Sequence, residues 1–177
     1  MLNYKLPKVA VRQKIFSHNH QPISTVVTEN IFCIVAQREI SKLVIPENTV
    51  LISITNPGSK LLEKNIINRF VDVLNVQFYD IDQKTYGELT EDGSLATEPI
   101  DFETGLIIKE FILKHKDKRF AIHCYAGVSR SAAVGCAINC LFHCDGDIEK
   151  YEKYMCPVKS HPRYFPNRTV FESIILS

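Results

Sequence analysis

Residues 119–144, RFAIHCYAGVSRSAAVGCAINCLFHC, carry the strongest structural signal in this 177-residue sequence. The first six, RFAIHC (119–124), are mostly apolar and predict a short buried strand. SRSAAVGCAINCLFHC (129–144) has almost no charge after its first turn and predicts a buried helix. The small residues YAGVS (125–129) lie between them. A buried strand that leads at once into a buried helix is typical of α/β proteins.

Strands and helices alternate along the rest of the chain. Apolar, β-branched stretches predict the strands, and helical spacing of apolar residues behind the N-caps Ser59 and Asp101 predicts two of the helices. The predicted strands are 31–37, 48–58, which ends in a turn at Asn56-Pro57-Gly58, and the start of 73–82, a stretch that ends in carboxylates. The predicted helices are 59–70, 101–116, 148–155 and 166–176. This alternation predicts an α/β fold, with helices flanking a central, mostly parallel sheet of four to five strands.

The chain length fits one domain with a short extension. Residues 1–28 are mixed and polar, and we expect them to form an N-terminal extension or an edge segment of the sheet. Residues 29–177 then form the main domain. In parallel sheets, ligands bind beyond the carboxyl ends of the strands, and Cys124, Asp80 and Asp82 lie at such ends.

Composition argues against several kinds of partner. The formal net charge of +1 creates no bulk field that would attract nucleic acid or an anionic membrane. The sequence has no apolar run of about 18 residues, and its first residues do not resemble a signal peptide. Four of the six cysteines fall between positions 124 and 144, which favours free thiols in a reducing compartment. We therefore expect a cytoplasmic protein with no nucleic-acid or membrane partner.

The loop after Cys124 has the composition of an anion-binding site. A small loop that contains Gly127 can curl so that successive backbone N–H groups converge on one point. The helix that follows adds unpaired N–H groups and the positive end of its dipole. These groups lower the pKa of a cysteine thiol and can also hold a phosphate dianion.

The residues around the loop complete this chemistry. Arg130 presents a planar fork that binds two phosphate oxygens and stabilises transition-state charge. The Ser131 hydroxyl can reach the Cys124 sulfur and stabilise it as a leaving group. His123 is expected to order the loop through hydrogen bonds, since a thiolate held by the loop needs no base. The predicted phosphate-binding residues are His123, Tyr125, Ala126, Gly127, Val128, Ser129 and Arg130.

The stretch 123–131 resembles the His-Cys-x5-Arg-Ser/Thr signature of the cysteine-dependent protein tyrosine and dual-specificity phosphatases, and its form is similar to that of small bacterial and phage members. The matching residues are His123, Cys124, Gly127, Arg130 and Ser131. The resemblance covers roughly residues 30 to 177, with weaker landmarks in ISITNPG (52–58), FYDID (78–82) and PVKSHPRYFPN (157–167). It implies that the Pro-Asn pair at 166–167 helps to dock the last helix near the loop.

A phosphatase also needs a general acid to protonate the leaving oxygen. Asp80 and Asp82 lie on the same face of the predicted strand, so periodicity does not separate them. Among relatives, a bacterial Phe-x-Asp-Ile pattern favours Asp80, whereas dual-specificity spacing favours Asp82. We expect Asp80, and Asp82 stays the alternative.

The expected function is hydrolysis of phosphate monoesters, chiefly phosphotyrosine and also phosphoserine or phosphothreonine in proteins, through a phospho-cysteine on Cys124. The partner is then a phosphoprotein or a small phosphate ester. No metal or other cofactor is expected, because Arg130 and the backbone supply the positive field. The alternatives are a catalytically weak phosphate-binding module, and a thiol-based arsenate reductase or sulfurtransferase.

Three further cysteines, at positions 136, 140 and 144, recur every four residues on the helix after the loop. They form a stripe along one helix, and one helix cannot surround a tetrahedral metal ion with such a stripe. We therefore expect all three to be small core residues.

Overall fold

The computed structural model describes residues 32–81, 99–154 and 162–177. Within these ranges the chain alternates between strands and helices, as the sequence predicts. The elements are β1 (Phe32–Ala36), a 3-10 helix (Gln37–Lys42), β2 (Thr49–Thr55), α1 (Lys64–Ile67), β3 (Val73–Gln77), α2 (Phe102–Lys114), β4 (Arg119–Cys124), α3 (Arg130–His143), α4 (Ile148–Tyr154) and α5 (Arg168–Leu176).

The four described strands form one sheet in the order β1-β4-β2-β3, and every neighbouring pair is parallel. This confirms the predicted α/β fold with a parallel central sheet. Cys124 pairs with Ala36, and His123 pairs with Ser53, so the reactive stretch ends a central strand. Because the strands are parallel, their carboxyl ends share one edge of the sheet, and the loops at that edge can meet.

Alternating side chains give the sheet two buried faces. On β4, Phe120, Ile122 and Cys124 belong to the main core, which also includes buried residues of α2, α3 and α5. Ala121 lies on the opposite face, in a smaller core with Leu51 and residues around the 3-10 helix and α1. Both faces of the central strands are therefore covered, which explains their nearly continuous apolar sequences.

Helix α3 is buried at every position from Arg130 to Cys140, as its lack of charge predicts. Cys136, Cys140 and Cys144 are each at most 3% exposed, so the prediction that they are core residues is confirmed. The cysteines of the described ranges are all free thiols. Over those ranges, no group of three or more His, Cys, Asp or Glu side chains is placed to hold a metal ion.

The prediction of a helix over 59–70 is wrong, because only Lys64–Ile67 is helical. Ser59 does not cap it: its N–H bonds to the Asn56 carbonyl to close a turn, and its own carbonyl accepts from Gln77 Nε2. In the stretch 73–82, which is predicted to begin as a strand, the strand is short. It ends at Gln77, followed by one further bond from the Phe78 N–H to the Thr55 carbonyl.

Several sequence-based expectations lie wholly or partly outside the described residues. They include the extension 1–28, the alternative acid Asp82, the first residue of the predicted strand 31–37, the end of the predicted helix 148–155 and part of the landmark 157–167. Of the helices that are described, none has the length and apolar character needed to cross a membrane.

Candidate active site

Cys124 is the last residue of β4 and is 2% exposed. The chain then turns through residues 125–129 and enters α3 at Arg130. Strand, loop and helix thus place the sulfur beneath the N-terminus of a 14-residue helix, at the carboxyl edge of the sheet. The positive end of the helix dipole faces this position and favours a negative charge there.

Gly127 allows the loop to approach the end of β1. Its φ of +68° lies in the left-handed region, which other residues seldom adopt. A Cβ atom at this position would lie 2.6 Å from the Ala36 nitrogen and 2.6 Å from the Val35 carbonyl carbon. The loop is also held where the Gln37 N–H bonds to the Tyr125 carbonyl, at 3.3 Å. Only glycine therefore fits at position 127 without displacing the loop.

The surroundings of Cys124 favour its thiolate. Burial of Cys124 raises the pKa of its thiol, but hydrogen bonds to the sulfur outweigh burial and lower this pKa. The Ser131 hydroxyl contributes most to the lowering, followed by the backbone N–H groups of Ser131, Val128 and Gly127. The Ser131 Oγ lies 3.1 Å from the Cys124 Sγ. This is the anion-binding arrangement that the loop composition predicts.

Arg130 is 4% exposed, and its guanidinium is held by two acceptors on other elements. Nη1 donates to the Asn56 side-chain oxygen at 2.8 Å and to the Phe78 carbonyl at 2.7 Å. Within the described part of the chain, the buried Nε has no hydrogen-bond partner. A buried donor without a partner is costly, so a ligand that accepts from Nε would be favoured.

Asp80 follows β3 and contacts the loop directly. Its Oδ1 accepts from the Ser129 hydroxyl at 2.7 Å and from Asn167 Nδ2 at 3.0 Å. Its Oδ2 lies 3.9 Å from Arg130 Nε. The Asp80 side chain is 36% exposed, so a substrate can reach it from solvent.

His123 lies on the face of β4 opposite Cys124 and is fully buried. Its Nε2 is 2.8 Å from the Ser53 hydroxyl on the neighbouring strand. Burial lowers the pKa of His123 from its ordinary 6.5 to about 4, and the nearby Arg130 charge acts in the same direction. His123 is therefore neutral at physiological pH and ties β4 to β2 beneath the loop.

The segment before α5 supports the loop from outside. The Phe165 N–H donates to the Val128 carbonyl at 3.1 Å, and Arg163 pairs with Glu39 at 3.6 Å. Glu39 in turn accepts from the Ala36 N–H at the end of β1. The loop is thus held between the end of β1 and this late segment.

Solved structures resemble the chain. The crystal structure of Tk-PTP in the active form is 19% identical, with 81% of this chain and 86% of that chain covered and a TM-score of 0.51. The human tyrosine phosphatase-like serine/threonine/tyrosine-interacting protein is 19% identical over 71% of this chain and 73% of that chain, with a TM-score of 0.44. PTPMT1 in complex with PI(5)P is 17% identical over 81% and 85%, with a TM-score of 0.49.

The fold is tyrosine phosphatase-like. No protein-family model matches the chain. No curated protein sequence matches it either.

The structure brings together most of the residues that the sequence singles out. Cys124, Arg130, Ser131 and Asp80 meet at one edge of the sheet, around the loop 125–129. Asp82 lies outside the described residues. The catalytic roles of these side chains stay predictions.

Sequence reasoning missed two contacts of the site. Asn56, interpreted only as part of a turn, accepts from Arg130, and Asn167, expected only to help dock the last helix, donates to Asp80. The signal for Asn56 was available, because it directly follows β2 at the same sheet edge as Cys124. Nothing in the sequence pairs Asn167 with Asp80.

Proposed function

We propose that this protein is a cysteine-dependent phosphatase that hydrolyses phosphate monoesters. The observation that carries the proposal is the Cys124 sulfur, whose pKa is lowered by the Ser131 hydroxyl and by the N–H groups of Gly127, Val128 and Ser131. The thiolate is the nucleophilic form of cysteine, and the same N–H groups suit the oxygens of a bound phosphate. Arg130 adds a positive charge at the helix start.

The reaction has two steps in this proposal. The Cys124 thiolate attacks phosphorus, the bond to the leaving oxygen breaks, and Asp80 donates a proton to that oxygen. A water molecule then attacks phosphorus, Asp80 accepts its proton, and the sulfur–phosphorus bond breaks to release phosphate and the thiolate. Arg130 and the backbone N–H groups stabilise the charge on the equatorial oxygens in both steps.

We propose phosphoproteins as the substrates, with phosphotyrosine preferred over phosphoserine and phosphothreonine. The loop residues 125–129 carry no lysine or arginine, which disfavours polyanionic lipid headgroups. Instead, two aromatic residues at the loop are exposed. Tyr125 belongs to the loop and is 77% exposed, and Phe165, whose backbone N–H bonds to the Val128 carbonyl, is 71% exposed. Exposed aromatic rings beside a phosphate site favour an apolar or aromatic substrate surface.

The test is turnover of p-nitrophenyl phosphate in the presence of a metal chelator. We expect activity in the wild-type protein, inhibition by vanadate, and no activity in Cys124→Ser. Cys33→Ser is the matched control, because burial raises the pKa of the Cys33 thiol to about 11 and leaves it unreactive. Full activity in Cys124→Ser would contradict the mechanism. Phosphate binding without turnover would instead indicate a binding module.

A further inference from the structure

Asn167 connects two parts of the molecule, α5 and the segment after β3, through one buried side chain, which is 8% exposed. Its Oδ1 accepts from the Val170 N–H at 3.1 Å and so caps α5. Its Nδ2 donates to Asp80 Oδ1 at 3.0 Å and to the Ile81 carbonyl at 3.2 Å. The amide oxygen of Asn167 thus binds the first turn of α5, and the amide nitrogen binds the segment after β3.

Helix α5, which positions Asn167, is fixed by its packing against the main core and α2. Val170 and Ile174 are fully buried in the main core. The backbone of α5 also packs closely on α2, where a Cβ at Gly105 would lie 2.3 Å from the Ser173 carbonyl oxygen. Lys109 of α2 donates to the Ile175 carbonyl at 3.0 Å. A side chain at the start of such a helix is held in place by its packing.

The contact distinguishes the two oxygens of Asp80. Among the described residues, the Ser129 hydroxyl and Asn167 Nδ2 both donate to Oδ1. Oδ2 faces Arg130 Nε at 3.9 Å. In a carboxylic acid whose one oxygen accepts two hydrogen bonds, the proton resides on the other oxygen.

We propose that Asn167 is a positioning residue that orients the Asp80 carboxyl group so that Oδ2 carries and delivers the proton. This inference rests on the proposed function, in which Asp80 is the general acid. Asn167 does not touch the substrate and acts through Asp80 alone. A proton donor contributes only when it is within hydrogen-bond reach of the leaving oxygen, so its orientation controls its effectiveness.

Two substitutions separate this role from helix capping. Asn167→Ser retains a good N-cap but removes the amide donor to Asp80. Asn167→Asp also retains a cap but places a second carboxylate against Asp80 Oδ1. The like charge favours the protonated form of Asp80, so we expect the alkaline limb of the pH–rate profile to move to higher pH. Asp101→Ser is the matched control, because Asp101 caps α2 through the Thr104 N–H.

The experiment measures kcat/KM for a series of aryl phosphates whose phenols differ in acidity. A poor leaving group needs the general acid and a good one does not. We expect Asn167→Ser to lose about tenfold with phenyl phosphate and less than about twofold with the best leaving group. Asp80→Asn should show the same trend more strongly, and adding Asn167→Ser to it should cost nothing further. Asp101→Ser should leave the trend unchanged.

Equal losses for all substrates in Asn167→Ser, or losses that add fully to those of Asp80→Asn, would overturn the proposal and leave Asn167 as a helix cap. An Asp80→Asn variant without a leaving-group trend would also overturn the proposed role of Asn167. If Cys124→Ser is inactive in the same experiment, the phosphatase function still stands. Only an active Cys124→Ser, or a wild-type protein without turnover, would refute the proposed function itself.

Discussion

The Ser131 hydroxyl lies 3.1 Å from the Cys124 sulfur, within the first turn of the helix that follows the loop. This contact lowers the pKa of the thiol and stabilises the thiolate. In the proposed reaction the same thiolate is the leaving group of the second step. Ser131 is therefore expected to matter more for hydrolysis of the phospho-cysteine than for its formation.

We predict that Ser131→Ala lowers kcat about 10- to 100-fold, since a hydrogen bond to a charged group contributes about 1.5–3 kcal/mol. Rapid-mixing kinetics with p-nitrophenyl phosphate should then show a burst of nitrophenol equal to the enzyme concentration. Alkylation of Cys124 should require a higher pH than in the wild type. Ser131→Thr keeps the hydroxyl and should restore most of kcat. An unchanged kcat in Ser131→Ala would contradict this role.

Much of the fold is predictable from short-range signals. Strand β4 lies at the predicted residues, and α2 begins directly after its predicted cap Asp101, because an apolar run and a side-chain cap are local features. The helix expected over 59–70 fails for a tertiary reason. Ser59 is held in a turn by the Asn56 carbonyl and by Gln77 Nε2, so the chain does not begin a helix at Ser59, although Leu62, Ile66 and Phe70 pack in the smaller core.

The site is predictable only where its residues are contiguous. Cys124, Arg130 and Ser131 fall within eight positions, and the chemistry of a nucleophile in an anion loop requires that spacing. Asn56 and Asn167 come from distant parts of the chain and reach the loop through the parallel sheet and the packing of α5. The end of β2 could place Asn56 at the same sheet edge as Cys124. A single sequence does not show which side chain Asn56 contacts there, and nothing in it pairs Asn167 with Asp80.

Gly127 and Gly58 form a matched pair for testing the loop. Both have positive φ, +68° and +75°, but a Cβ at Gly58 meets nothing within 4 Å, whereas one at Gly127 meets the end of β1 at 2.6 Å. We predict that Gly58→Ala costs about 1–2 kcal/mol in unfolding free energy and leaves kcat unchanged. Gly127→Ala should cost more and reduce kcat/KM about 100-fold, because the loop must move.

Denaturant unfolding and steady-state kinetics on the two variants measure both effects. Wild-type activity in Gly127→Ala would mean that the loop tolerates displacement. The positive φ and the close approach to Ala36 would then have no catalytic consequence.

The lowered pKa of His123 predicts that the folded protein loses stability in mild acid. Its pKa is about 4 in the folded protein because of burial, against an ordinary 6.5 when unfolded. Between these values the unfolded chain binds a proton that the folded protein does not, so stability falls as pH decreases from 6.5 towards 4. We predict that the unfolding free energy drops by about 2–3 kcal/mol between about pH 7.5 and about pH 4.5 from this residue alone.

The comparison of wild type with His123→Asn isolates this contribution, because both proteins carry the same carboxyl groups. Asn cannot titrate but can still bond to the Ser53 hydroxyl, so the variant should lose most of the pH dependence in this window. Parallel pH dependences in the two proteins would show that His123 is not the titrating group.

The exposed ring of Phe165 predicts substrate preference. Its backbone N–H is bonded to the Val128 carbonyl, so the side chain stands beside the phosphate-binding loop with 71% of its surface in solvent. Covering an aromatic face on binding contributes about 1–2 kcal/mol. We therefore predict that Phe165→Ala raises KM about 5- to 30-fold for a phosphotyrosine peptide with apolar neighbours, and changes kcat little.

Leu113 provides the matched control, because it is also an exposed apolar residue, at 47%, but lies far from the loop. It is in the last turn of α2, which leads to the start of β4 at the opposite edge of the sheet. Leu113→Ala should leave KM unchanged. A peptide whose neighbours are all acidic should show a smaller effect of Phe165→Ala, since it offers no apolar surface to the ring. Equal KM changes for both peptides would mean that Phe165 supports the loop through its backbone and does not contact the substrate.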